Sequence, residues 1–207
     1  MASVEQGPVS NRLVERVKNI LFTPNTEWDV IEAEPATVQG LYKSYICILA
    51  AIPAVAQLLG SVAFPHYGLW GGISIMGALV TAIVTYVGTL VGVYVTAQII
   101  DSLAPSFGGQ RNSIQAFKVA AYSPTAIWVV GVFAAAPPAS GLRIIGIYSF
   151  YLLYLGLPKL MKAPEDKALV YTIVAIVVSA VVYAVVFAVA GMTVALAGLS
   201  ALPGFMR

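Results

Sequence analysis

Long runs without a charged residue constrain the fold of this chain more than any other feature. Asp, Glu, Lys and Arg are absent from Ser44–Ile100, Val119–Leu142, Ile144–Pro158 and Ala168–Met206. A helix that crosses a bilayer needs about 20 apolar residues, because each residue rises about 1.5 Å and the hydrocarbon core is about 30 Å thick. Backbone in that core must satisfy its own hydrogen bonds, which favours helices. The sequence therefore predicts an all-α, polytopic membrane bundle.

Clusters of proline and glycine divide these runs into five crossings. One cluster lies at 64–72 and the other at 136–141, and both residue types end helices. The predicted transmembrane helices lie near 44–64, 73–100, 118–135, 143–160 and 168–190. They form one domain, 44–190, followed by an apolar tail at 191–207 that glycine and proline interrupt. We interpret this tail as a frayed extension or an interfacial segment, with a sixth span as the alternative.

The distribution of basic residues predicts an orientation. Lys and Arg are enriched in the cytoplasmic loops of membrane proteins. Of the 11 Lys and Arg residues, this threading places only Arg143 and Arg207 on one side and the remaining nine on the other. We therefore expect a cytoplasmic N-terminus and an external C-terminus. The net charge of +2 is too small to indicate a nucleic acid partner, whereas lipid contact is unavoidable.

Residues 1–43 form a predicted cytoplasmic segment with two short helices. In the first, 11–22, Leu13, Val17 and Ile20 recur at helical spacing opposite charged residues. Such a helix either lies on the inner leaflet or packs against the protein's own cytoplasmic loops. In the second, 24–34, Trp28 is expected to anchor the chain at the membrane interface.

Several blocks of this sequence resemble the Yip1 domain family, in its compact bacterial form. They are Leu13–Leu21 with Pro24 and Glu27-Trp28, then Leu103–Gly109, Ala120–Pro124 and Tyr148–Ala168, and the similarity extends from about Asn11 to Val189. The resemblance implies five membrane helices and a cytosolic N-terminus. Eukaryotic relatives act in vesicle traffic and associate with Rab-type GTPases and with one another, which implies a protein partner or a homodimer.

One polar group lies where the second span ends. Asp101, Gln98 and Tyr94 share a helix face, and a carboxylate near membrane depth is costly. Lys118 begins the next span and is the expected partner of Asp101, with Arg111 between them. Asp101 either closes the hairpin between spans two and three as a structural residue or forms a proton or cation site.

A second polar group is predicted inside the bundle. Tyrosine hydroxyls in a helix interior need partners, and a proline frees a carbonyl one turn earlier. Because spans three and four are hairpin neighbours, we expect their polar residues to meet. The result is either a buried structural network or a ligand pocket, and its members are Tyr122, Ser123, Pro124, Tyr148, Tyr151 and Tyr154.

Small residues form a stripe on the second span. Small side chains let two helix backbones approach closely. The stripe predicts packing within one protomer or a homodimer seam, and it comprises Gly77, Thr81, Thr85, Gly88, Gly92 and Thr96. Farther along the chain, Lys159, Lys162 and Lys167 have the charge to bind anionic lipid headgroups.

No catalytic, metal-binding or cofactor-binding motif is present in the sequence. The single histidine, His66, is predicted in a turn at the interface, and Cys47 is the single cysteine. We therefore predict that the protein is not an enzyme and carries no cofactor. Two functions stay open: a non-catalytic scaffold or adaptor, and a small proton- or cation-linked transporter or channel that uses Asp101 and the tyrosine-lined core.

Overall fold

A computed structural model of the chain describes residues 9–64 and 75–200, which contain seven helices and no strand. Five of the helices are long and apolar enough to cross a membrane, so the predicted five-span, all-α class is confirmed. His66 lies outside the described residues. The helices are α1 (Val9–Phe22), α2 (Pro24–Ala33), α3 (Val38–Ala63), α4 (Ile75–Phe107), α5 (Ser113–Ala135), α6 (Gly141–Met161) and α7 (Glu165–Ser200).

Helix α5 is the centre of the bundle. It contacts α3, α4 and α6, whereas α7 lies against α4 and α6. The most apolar stretch of α5 is 72% buried and that of α7 is 12% buried. Helix α5 is also the less apolar of the two, with a mean hydropathy of 1.4 against 2.8. The most apolar helix is therefore peripheral, which is favourable when the surroundings are lipid.

Pro124 interrupts α5 and couples it to α6. The regular helix Ser113–Tyr122 ends before this proline, and a second segment, Thr125–Val130, follows it. The backbone amide of Ile127 donates to Oγ of Ser149 on α6 at 3.0 Å. A neighbouring side chain thus satisfies a backbone donor at the break, as buried helix interruptions require.

Helix α7 is longer than the sequence suggests. It is continuous for 36 residues, from Glu165 to Ser200, which corresponds to about 54 Å. The helix continues past Gly191 without a break, so the first part of the predicted tail extends α7, whereas the domain boundary at 190–191 stays a prediction. A lone glycine weakens a helix by only about 1 kcal/mol, which does not offset the flanking helix formers. Residues 201–207 lie outside the described residues.

Helices α1 and α2 form an N-terminal hairpin (Val9–Ala33) that packs on the flank of the bundle. Helix α2 lies against α6, and α1 lies against α2, α3 and α5. Trp28 is fully buried, so its predicted place at the membrane interface is wrong. Its indole lies over Gly156 of α6, where a β-carbon would come within 2.7 Å of the ring. The absence of a side chain at Gly156 allows α2 to approach α6.

We expect Gly156→Ala to destabilise the protein by about 1–3 kcal/mol, because the added methyl group overpacks the site against a rigid indole. Thermal unfolding of the detergent-solubilised protein measures the loss. The matched control is Gly191→Ala, since a β-carbon there has no atom within 4 Å and alanine favours a helix by up to about 1 kcal/mol. Equal stability of the two variants would contradict the packing of α2 on α6.

Candidate functional site at the N-terminal hairpin

Lys118 of α5 holds the end of α2. Its side chain is buried, and Nζ donates to the carbonyl oxygens of Ile31 at 2.7 Å, Glu32 at 3.2 Å and Glu34 at 2.6 Å. The last carbonyls of a helix have no donor within the helix and lie at the negative end of its dipole. A buried ammonium group donates hydrogen bonds to these carbonyls and also balances the negative end of the dipole. Lys118 therefore caps α2 from a different helix.

The predicted ion pair between Asp101 and Lys118 is wrong. Lys118 points to α2, and within the described residues Oδ1 of Asp101 is buried without a hydrogen-bond partner. Gln98 and Arg111 are exposed, and the Tyr94 ring packs on Phe117 with centroids 6.0 Å apart. The carbonyls of α2 offer Lys118 three acceptors close together, which a single carboxylate at the end of α4 does not.

Arg16 joins the two helices of the hairpin. Its Nη1 donates to Glu27, and its Nη2 donates to Oε1 of Glu34 at 2.6 Å. Burial lowers the pKa of Arg16, but the hydrogen bond and the nearby negative charges raise it more, so the pKa of this guanidinium lies above its ordinary value. The group therefore keeps its charge at every physiological pH.

The sequence pattern places the charged residues of α1, Arg16 among them, opposite its apolar face and does not reveal this network. A signal was present: Arg16 lies one turn after Leu13 and one turn before Ile20, at the edge of the apolar face. Glu27 is buried although it carries a charge. Charged residues are rarely buried without a partner, but a sequence does not reveal which ones are buried.

The rings of Tyr45 and Tyr122 form an aromatic layer beneath Arg16. The guanidinium carbon is 5.7 Å from the centroid of the Tyr122 ring, a distance suited to a cation–π contact. The Tyr45 and Tyr122 rings meet edge to face with centroids 4.6 Å apart. Thr125 Oγ1 donates to the Tyr122 carbonyl at 2.5 Å and accepts from the Tyr45 hydroxyl at 2.7 Å. The layer closes the bundle below the hairpin.

The polar residues of spans three and four do not form the single buried cluster that the sequence predicts. Tyr122 faces Tyr45 and Arg16, whereas the Tyr148 hydroxyl donates to the Leu21 carbonyl of α1 at 3.0 Å. Tyr151 and Tyr154 are exposed. The link between α5 and α6 at Pro124 is Ser149 rather than a tyrosine, and within the described chain the buried Ser123 Oγ has no partner.

Two of the three predicted headgroup lysines bind the hairpin. Lys159 Nζ donates to the Asn25 carbonyl at 2.5 Å and to Asp29 at 2.6 Å. Lys162 donates to Glu32, and Lys167 is exposed. These contacts place α2 alongside the end of α6, so the basic cluster at this end of α6 is in part a docking site for the protein's own second helix.

The small-residue stripe lies partly against α7. A β-carbon on the buried Gly92 would come within 3.2 Å of the Tyr183 ring, which is packing within one protomer. The Thr81 hydroxyl donates back to the Gly77 carbonyl at 2.8 Å, and Gly77 is buried. The other members, Thr85, Gly88 and Thr96, are half-buried.

A cavity of about 560 Å³ lies between α1 and the start of α3. We call it the arginine cavity because Arg12 and Arg16 line it. A second cavity of about 400 Å³ lies beside α6, near Tyr154 and Lys159. Asp101 lines neither of them. The described residues also contain no group of His, Cys, Asp and Glu side chains that could hold a metal ion. The polar residues of the arginine cavity are Arg12, Arg16, Glu34, Thr37, Ser44, Tyr45 and Tyr122.

Comparison with known proteins gives a family match over most of the chain. The model of the Yip1 domain matches residues 18–187. Inner membrane protein YohC of Escherichia coli strain K12 is 25% identical over 167 residues, which cover 77% of this chain and 85% of that protein. The protein of the same name from E. coli O6:H1 strain CFT073 gives the same values. No solved structure matches the chain.

We expect Lys118→Met to destabilise the protein by about 3 kcal/mol, because it leaves buried carbonyls without their charged donor. Thermal unfolding measures the loss, and hydrogen exchange of the α2 amides locates it. Lys162→Met is the control, since it removes an exposed ion pair that contributes about 1 kcal/mol or less. If both variants lost the same small amount, Lys118 would not hold α2.

Proposed function

This chain belongs to the Yip1 domain family, and we propose that it is a non-catalytic scaffold or adaptor that organises other components of its membrane. The family match covers residues 18–187, so it includes the end of α1, all of α2, four complete spans and most of the fifth. A scaffold needs a rigid surface rather than a reactive group. The docked hairpin meets that need, because several buried contacts hold it against three of the spans.

The closed packing beneath the aromatic layer is the observation that carries this proposal. Beyond Tyr122 on α5, Trp128 is buried in the same apolar core as Tyr45 and Tyr122. Farther along, Gly131 of α5 approaches α3 so closely that a β-carbon would lie 2.6 Å from Pro53. Within the described part of the chain, the arginine cavity therefore ends at the aromatic layer and does not continue across the bundle. Solid packing favours a scaffold over a conduction path.

The alternative is a small proton- or cation-linked transporter or channel. One observation favours it: Oδ1 of Asp101 is buried without a hydrogen-bond partner in the described residues. A buried carboxylate oxygen without a donor is costly, and transport sites retain such costs for function. The tyrosine-lined core proposed with this site does not support it, since Tyr151 and Tyr154 face outward.

Ion flux into proteoliposomes tests which of the two functions applies. With a scaffold, we expect proton and potassium fluxes equal to those of protein-free vesicles, because the interior is packed. Asp101→Asn should then change nothing. A flux above the protein-free level that Asp101→Asn abolishes, with the variant still folded, would establish the transporter instead.

Photo-crosslinking in cells tests the scaffold directly, because a scaffold should contact other proteins. A crosslinker in place of Glu15, on the exposed face of α1, should form defined protein adducts. The control is a crosslinker in place of Arg143, which is exposed at the other end of the bundle. Absence of adducts from both positions, together with no flux, would argue against the scaffold as well as the transporter.

We further propose that the protein lies in the bacterial inner membrane with its N-terminus in the cytoplasm. The name of the Escherichia coli relative supports the membrane, and the excess of basic residues on one side supports the orientation. To test this, Cys47 is replaced by serine and single cysteines are introduced by Glu15→Cys and Gly141→Cys. An impermeant maleimide added to intact spheroplasts should label the second variant only, and the reverse pattern would invert the topology.

A further inference from the structure

We propose that the arginine cavity binds the headgroup of a phospholipid in which a phosphate is linked to a primary amine. The cavity volume of about 560 Å³ lies within the usual range of small-ligand sites, roughly 300–1,000 Å³. This proposal does not depend on the scaffold role, because it concerns the side chains of the cavity alone. It rests on the position of the cavity, on its charges and on one free hydroxyl group.

The wall that α1 contributes places the cavity at the membrane surface. Val14 and Phe22 are 65% and 77% exposed on α1, and the charged residues Glu15 and Lys18 are exposed beside them. A helix with apolar and charged residues on its outer side is most stable at the boundary between headgroups and acyl chains. Arg12 and Arg16 project into the cavity from this same helix. The cavity therefore lies at the depth of lipid phosphates.

The charges that line the cavity match a headgroup with both signs. Arg16 pairs with Glu34 and also with Glu27, which lies outside the lining. The lining itself carries two cations, Arg12 and Arg16, and one carboxylate, Glu34. The Glu34 side chain is 46% exposed, which leaves its oxygens accessible. Arg12 lines the cavity and, among the described residues, forms no ion pair. A phosphate suits Arg12, and an ammonium group suits Glu34.

Tyr122 supplies a polar group at the floor of the cavity. The residue is buried at 8% exposure and lines the cavity. Its carbonyl accepts from Thr125, but within the described chain its hydroxyl forms no hydrogen bond. The hydroxyl oxygen is not fully enclosed by protein, so a ligand in the cavity can reach it. A phosphate oxygen that reaches the floor would accept from it, as it would accept from the guanidinium of Arg12.

The contacts of Tyr122 also favour a primary over a quaternary amine. Proteins bind quaternary ammonium groups on open aromatic faces. Here the face of Tyr122 is already occupied by the guanidinium of Arg16, and its ring meets Tyr45. A primary ammonium group donates hydrogen bonds instead, and the exposed carboxylate of Glu34 accepts them.

The test is a titration of delipidated protein with three phospholipids, read by native mass spectrometry. We expect phosphatidylethanolamine to bind at least fivefold more tightly than phosphatidylcholine or phosphatidylglycerol. Arg12→Ala should weaken its binding at least fivefold, and Tyr122→Phe should weaken it measurably. Lys18→Ala, which removes a charge from the exposed face of α1, is the matched control and should change affinity less than twofold. Glu34→Gln should remove the preference over phosphatidylcholine.

A competition arm separates the two sources of this chemistry. Soluble phosphoethanolamine that displaces the lipid only at far higher concentration identifies a membrane lipid as the ligand, whereas equal potency identifies a soluble phosphoamine at the same site. Equal binding of the three lipids by the wild-type protein would overturn the proposal. Equal loss in Arg12→Ala and Lys18→Ala would overturn it too, as would a preference for phosphatidylglycerol, which carries no amine. Size-exclusion chromatography verifies that each variant is folded.

Discussion

The burial of one ammonium group underlies the structure of the hairpin end of this protein. Lys118 lies on the central helix, and within the described residues its ammonium group donates to the carbonyl oxygens at the end of α2. A buried charge without partners costs several kcal/mol, so the docked position of α2 is strongly preferred over a free one. Once α2 is docked, Trp28 meets Gly156, and α1 is held between α2 and the bundle.

The N-terminal hairpin is therefore a structural part of the bundle rather than a mobile surface helix. Its apolar contacts would also form in many other orientations, because apolar packing is not directional. The hydrogen bonds of Lys118, and those of Lys159 to Asn25 and Asp29, have direction and fix the register of α2 on α6. Directional contacts placed around an apolar core are what select one arrangement.

The sequence was sufficient to locate the membrane spans, but it was insufficient to predict which groups the polar residues contact. A bilayer has a fixed thickness and excludes unpaired backbone, so hydropathy alone locates α3 to α7. The predicted partner of Lys118 was wrong because Asp101 is closer along the chain. In the folded chain, Lys118 instead donates to carbonyl oxygens more than 80 positions away. Arg16 was missed for the same reason: its two glutamates belong to another helix whose docking no local pattern reveals.

Glu34 connects the docking of the hairpin to the arginine cavity. Its carbonyl accepts from Lys118 at 2.6 Å, and its carboxylate accepts from Arg16 at the same distance. The residue that follows α2 therefore also supplies the carboxylate of the cavity. A ligand that engages this carboxylate binds only the docked arrangement, and so it stabilises that arrangement in proportion to its occupancy. By linkage, docking and binding strengthen each other by the same factor. The cavity has this shape only when Lys118 holds the hairpin in place. A ligand in the cavity would in turn stabilise the docked hairpin.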